Sequence, residues 1–129
     1  MASIFDQFAV LRPDLHLDQH EVGPDFYQRI DRIYNGFRSH TLISAHHFTE
    51  DWPTWEIHPK GDEMVILMSG RAEFRLKMES GEQILELASP GSYLIVPKNT
   101  WHTAAIDQPS SLLFITPGEE TQNQVSPPV

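Results

Sequence analysis

The chain has 129 residues, with 9 Lys and Arg against 18 Asp and Glu and a formal charge of −9 at neutral pH. Its 40% hydrophobic and 10% aromatic content suits one ordinary globular domain and argues against disorder. The acidic balance without a Lys/Arg-rich run speaks against nucleic-acid binding, and the absence of cysteine excludes disulfides, thiolate metal sites and a cysteine nucleophile.

In chain order, residues 1–22 carry scattered apolar side chains and a Leu15/Leu17 alternation, and are expected to form an arm packed on the main body or on a partner subunit. Gly23-Pro24 then starts a short helix. Phe26, Ile30, Ile33 and Tyr34 recur at helical spacing, and Asn35-Gly36 stops it. From Phe37 onward, turn formers separate runs of strand length, the pattern of an all-β domain. The runs are Phe37–Phe48, Thr54–His58, Glu63–Met68, Ala72–Met78, Gln83–Leu87, Ser92–Val96, His102–Ile106 and Leu112–Thr116. In Ala72–Met78 the alternation puts Ala72, Phe74, Leu76 and Met78 on one face and Glu73, Arg75 and Lys77 on the other. Met64-Val65-Ile66-Leu67-Met68 has no polar face, so its outer side needs cover from another sheet, the N-terminal arm or a second subunit. It is also the longest apolar run and far too short to span a bilayer. The polar, proline-containing residues 119–129 read as a flexible tail. The expected organisation is one domain: residues 1–36 as arm and helix, 37–118 as barrel, 119–129 as tail.

Chemistry concentrates in two segments. In Trp55-Glu56-Ile57-His58-Pro59-Lys60-Gly61-Asp62-Glu63, Glu56 and His58 are two apart and share a strand face, and the tight Pro-Lys-Gly-Asp connection returns Glu63 beside them. Far along the chain, Pro97-Lys98-Asn99-Thr100-Trp101-His102 brings a second histidine to the start of a strand. Four such oxygen and nitrogen donors converging from two hairpins form a divalent-ion site. His46 and His47 are adjacent and point to opposite faces, so one of them can enter the interior. Trp52, Trp55 and Trp101 flank the two segments and can furnish an aromatic wall for a ligand.

The spacing resembles the cupin superfamily. Glu56-Ile57-His58-x4-Glu63-x6-Gly70 matches the ligand spacing and closing glycine of the first cupin motif, and Gly91-x5-Pro97-x-Asn99-x2-His102 matches the second. The resemblance covers Glu56 to Ile106. It departs in three places: Glu56 replaces the first motif histidine, Asn99 replaces a glycine, and Ile106 replaces a final asparagine. What the resemblance implies is a small all-β jelly-roll barrel holding one divalent transition metal on Glu56, His58, Glu63 and His102. The extra carboxylate favours Fe or Mn, with Zn or Ni as alternatives. It further implies metal-assisted chemistry on a small organic molecule, of dioxygenase or isomerase type. The alternatives are a non-catalytic ligand-binding or sensing module, and a metal-free (RmlC-like) sugar epimerase using Tyr93 as acid. A neutral or mono-anionic ligand, a homodimer and a cytoplasmic location complete the expectation, with neither nucleic acid nor membrane as partner.

Overall fold

The computed structural model describes residues 1–129 as eleven strands and one helix. The strands are β1 Gln7–Leu11, β2 Leu17–Glu21, β3 Thr41–Phe48, β4 Trp55–Ile57, β5 Glu63–Ser69, β6 Ala72–Met78, β7 Gly81–Leu87, β8 Tyr93–Val96, β9 His102–Ala105, β10 Ser110–Pro117 and β11 Gln122–Gln124, and the helix α1 is Phe26–Ile33. They form two antiparallel sheets, one ordered β2-β1-β3-β10-β5-β8 and the other β11-β4-β9-β6-β7. This is an all-β jelly roll with one short helix. No helix is long and apolar enough to cross a membrane.

Strand alternation builds the core. On β6, Ala72, Phe74 and Leu76 are fully buried, while Arg75 is exposed. On β5, Glu63, Val65 and Leu67 face inward and Met64, Ile66 and Met68 face outward. A cluster of twelve buried apolar residues, including Val65, Leu67, Phe74, Leu76, Leu112 and Phe114, fills the space between the sheets. A second cluster joins Phe8 and Val10 of β1, Phe26 and Ile30 of α1, Phe37 and Leu42. Full burial of side chains of this size contributes about 1.5–3 kcal/mol each, which is what docks a helix of only eight residues.

Two segments are more regular than their sequence suggested. The N-terminal segment, expected as an arm packed on the main body or on a partner subunit, takes the form of a β-hairpin, because β1 pairs with both β2 and β3 and so extends the larger sheet. The boundary at residue 37 therefore cuts across a sheet. The tail is not free throughout either, since Gln122, Asn123 and Gln124 pair with Ile57, Glu56 and Trp55. Backbone pairing at a sheet edge makes no demand for apolar side chains, which is why a polar Gln-Asn-Gln run becomes a strand.

Two turns align the motif segments. Gly70 closes the β5–β6 hairpin at φ +82, and a Cβ there would lie 2.3 Å from Ser110 Oγ and 2.4 Å from the Pro109 carbonyl oxygen. Only glycine fits that left-handed, crowded position. Asn99 adopts φ +60 and donates its backbone N–H to the His58 carbonyl at 3.0 Å. Asn99 therefore holds the left-handed position without glycine and ties the second motif segment to the first.

Candidate metal centre

β4, β5 and β9 carry one end of the cavity between the sheets. His58 follows the end of β4, Glu63 opens β5 and His102 opens β9. All three are buried, at 5%, 4% and 0% exposure, and their donor atoms lie within 4.8 Å of one another. Glu63 Oε2 is 3.2 Å from His58 Nε2, and Glu63 Oε1 is 3.2 Å from His102 Nε2.

The surrounding hydrogen bonds set the tautomers. Thr121 donates its hydroxyl proton to the Gly118 carbonyl at 3.0 Å, so its oxygen accepts from His58 Nδ1–H at 2.8 Å. His102 Nδ1–H donates to the Thr100 carbonyl at 3.1 Å. Both rings therefore present a bare Nε2 lone pair to the Glu63 carboxylate, while Thr116 Oγ1 donates to Glu63 Oε2 at 2.6 Å. His58 Nε2, His102 Nε2 and Glu63 Oε1 are buried, and no hydrogen bond reaches them. Three buried acceptors facing one another are costly unless a cation lies between them, so the residues fit a divalent transition-metal ion.

Without an ion, protons take part of that role. Burial opposes the Glu63 charge, but the imidazoles of His102 and His58 outweigh it and hold its carboxyl down to about 2. Burial also opposes a charged His102, yet Glu63 raises its pKa overall. Glu56 is raised, first by burial and then by the Glu63 charge.

Glu56 faces the same cavity, directly across from His102 in the β4–β9 register, but its carboxylate stands outside the group of three. Trp52 lines the cavity and packs edge-on to Phe74, with Phe48 and Phe114 beside it. Trp55 and Trp101 do not line it. Trp55 alternates with Glu56 and lies beneath the Lys77 ammonium on the other side of the sheet, and Trp101 alternates with His102. His46 turns inward among Phe8, Phe48 and Phe114, where burial lowers its pKa and keeps it neutral. His47 is exposed, stacks on Phe5 and bonds Ser111.

The cavity, about 720 Å³, also draws on residues the sequence reading passed over. One wall comes from α1, whose Tyr27, Ile30 and Asp31 share a helical face. Tyr27 lines the cavity while 57% exposed, and its phenol pKa is raised, first by burial and then by the charges of Glu56 and Glu63. Thr116 had a legible signal, an inward register position shared with Leu112 and Phe114. Thr121 had none, because its partner is 63 residues away.

No protein-family model matches the sequence, and no curated protein matches it. Solved structures do resemble the fold. A cupin-2 domain protein from Shewanella frigidimarina NCIMB 400 aligns over 60% of this chain and 70% of its own, at 19% identity and a TM-score of 0.51. Hydroquinone 1,2-dioxygenase from Sphingomonas sp. TTNP3, with 4-hydroxybenzoate bound, aligns over 66% and 61%, at 17% identity and a TM-score of 0.51. Bacillus subtilis oxalate decarboxylase, which has Mn(II) centres, aligns over 66% of this chain but 23% of its own, at 15% identity and a TM-score of 0.53. The fold is that of the cupins, and in this chain His58, Glu63 and His102 form a buried group that could hold a metal ion.

Proposed function

We propose that this protein is a metal-dependent cupin enzyme acting on a small organic molecule, with His58, Glu63 and His102 as ligands and Glu56 as the fourth. The observation that carries the proposal is the convergence of two imidazole lone pairs and a carboxylate in a buried cluster with no hydrogen bond to its inner atoms. Fe or Mn suits the two-histidine, two-carboxylate set better than softer ions, and Zn or Ni are the alternatives. When bound, such an ion polarises an oxygen ligand or substrate oxygen for dioxygenase- or isomerase-type chemistry.

The chain's own residues supply the remaining functions. Thr121 and the Thr100 carbonyl orient the imidazoles, and Thr116 fixes one oxygen of Glu63. Phe48, Trp52 and Phe114 form an apolar wall that restricts water and positions a ring-bearing substrate. The bound 4-hydroxybenzoate of hydroquinone 1,2-dioxygenase is an aromatic molecule of this kind. His46 is a neutral imidazole on the cavity wall, able to accept a proton at a free ring nitrogen. The epimerase alternative loses its acid, because Tyr93 lies on the outer face of the larger sheet and is 58% exposed.

Elemental analysis of the native protein and of His102→Ala tests the proposal. The expected result is one divalent ion per chain in the wild type and affinity weakened more than about 100-fold in the variant, beyond the effect of losing an orienting partner. No stoichiometric ion, or unchanged affinity in His102→Ala, overturns it.

A further inference from the structure

None of the nine lysines and arginines lines the cavity, whereas five carboxylates do: Asp31, Glu50, Asp51, Glu56 and Glu63. Glu56 and Glu63 belong to the centre, where a divalent ion cancels their charge. Asp51 accepts the Ile106 backbone N–H at 2.7 Å and has a structural partner. Asp31 on α1 and Glu50 in the β3–β4 connection are both exposed and line the cavity, while Arg29, Arg71 and Lys60 are paired with Asp25, Glu86 and Glu120 rather than with these two. With the centre neutralised, the entrance therefore keeps a negative field inside a protein whose net charge is already −9. Phe48, Trp52 and Phe114 line the same cavity, and aromatic rings attract cations more than carboxylates.

We propose that the cavity takes an organic cation. The ligand has an aromatic body against the Trp52 wall, a protonated amine at the Asp31/Glu50 rim, and a hydroxyl oxygen directed to the His58–Glu63–His102 end. This deepens the proposed function and rests on it for the hydroxyl. The rim and wall alone account for the amine and the ring. A carboxylate in place of the amine meets Asp31 and Glu50 and no lysine or arginine, so anionic substrates are selected against.

Three phenols that differ only at the far end distinguish the cases: tyramine, the corresponding alcohol tyrosol, and 4-hydroxyphenylacetate. Each is titrated by calorimetry into wild type, Asp31→Asn and Glu50→Gln, with and without bound Mn(II). The expected order is tyramine over tyrosol over 4-hydroxyphenylacetate, with steps of roughly threefold to tenfold that shrink in high salt. Each variant weakens tyramine by about threefold to tenfold and leaves tyrosol unchanged, which also reports that the variant is folded. Tightest binding by 4-hydroxyphenylacetate, an equal loss for tyramine and tyrosol in the variants, or no binding by any of the three overturns the proposal. If Mn(II) fails to bind while the amine preference persists in the metal-free protein, the metal reading falls and the cation specificity stands.

Discussion

His58 Nδ1 and Thr121 Oγ1 are 2.8 Å apart, and this hydrogen bond joins the first motif segment to the C-terminal stretch of the chain. Because the Thr121 proton is committed to the Gly118 carbonyl, the bond holds His58 in the tautomer whose Nε2 is bare. The backbone of Gln122–Gln124 is anchored on β4 immediately afterwards, so the orienting hydroxyl is held by a strand rather than by a loose end.

Thr121→Val keeps the branched shape and removes the acceptor. Metal affinity is expected to fall about 10- to 100-fold, the usual cost of losing an outer partner of a ligating histidine, with the fold unchanged. A competitive chelator titration measures it. Equal affinities in the two proteins sink the orienting role of Thr121.

Glu56→His restores the imidazole of the cupin motif at a position that faces His102 across the β4–β9 pair. The variant should retain the ion and shift its preference toward Zn(II) or Ni(II), because nitrogen donors suit those ions better than a second carboxylate does. Competitive loading with equimolar Mn(II) and Zn(II) reads the shift. An identical preference in both proteins removes Glu56 from the ligand set.

Stability of the metal-free protein should peak in mildly acid solution. Glu63 is depressed from 4.5 to about 2, so its contribution is present above pH 4.5 and is lost as the pH falls toward 2. His102 is raised above 6.5, so its contribution is full below 6.5 and disappears as the pH rises through its folded value. Glu56 is raised as well and acts in the same direction as His102, since its buried carboxylate becomes unfavourable once it ionises. Thermal melts in chelator should therefore show a maximum between about pH 4.5 and 6.5, and added metal should move it upward because ions and protons compete for the same atoms. A chelated protein most stable at pH 8 contradicts this account.

Much of this site was legible because strand alternation is strict. One rule put Glu56 and His58 on one face, and β6 runs over the same Ala72–Met78 span that its alternation marked out. The same rule, carried one residue further, turns Trp55 away from Glu56 and Trp101 away from His102, so only Trp52 of the three remains on the cavity wall. The parts that were not legible are those without side-chain periodicity. β2 and β11 are polar edge strands held by backbone pairing, and the α1 wall and Thr121 reach the site through contacts between residues distant in sequence.

Gly70→Ala tests why the first motif closes on glycine. The added methyl would meet Ser110 Oγ and the Pro109 backbone inside van der Waals range, at a positive φ that disfavours any side chain. Ser110 cannot simply move, since its hydroxyl contacts the Arg71 backbone N–H at 2.9 Å and the Arg71 carbonyl at 2.7 Å. The expected cost is about 1–3 kcal/mol or more, a fall in Tm of several degrees. A melt within one degree of wild type means the hairpin relaxes freely.

The outer face of β5 underlies the last prediction, that the protein is a homodimer. Met64 lies beside Ile95 and Ile115, and Ile66 beside Tyr93 and Leu113, so three adjacent strands present apolar side chains outward. Tyr93 and Ile95 are 58% and 48% exposed, whereas an apolar sheet face of this width is normally covered. The β1–β2 hairpin lies at the far edge of the sheet, beyond β10 and β3, and does not reach β8, so a second copy is the occupant proposed for this face. Stable pairing needs about 800 Å² from each partner, which requires the outward residues of β8, β5 and β10 together. Sedimentation should give a dimer at micromolar concentration, and Ile95→Glu should yield a folded monomer that still binds the ion. A wild-type monomer under those conditions, or an Ile95→Glu protein that remains dimeric, places the interface elsewhere or removes it.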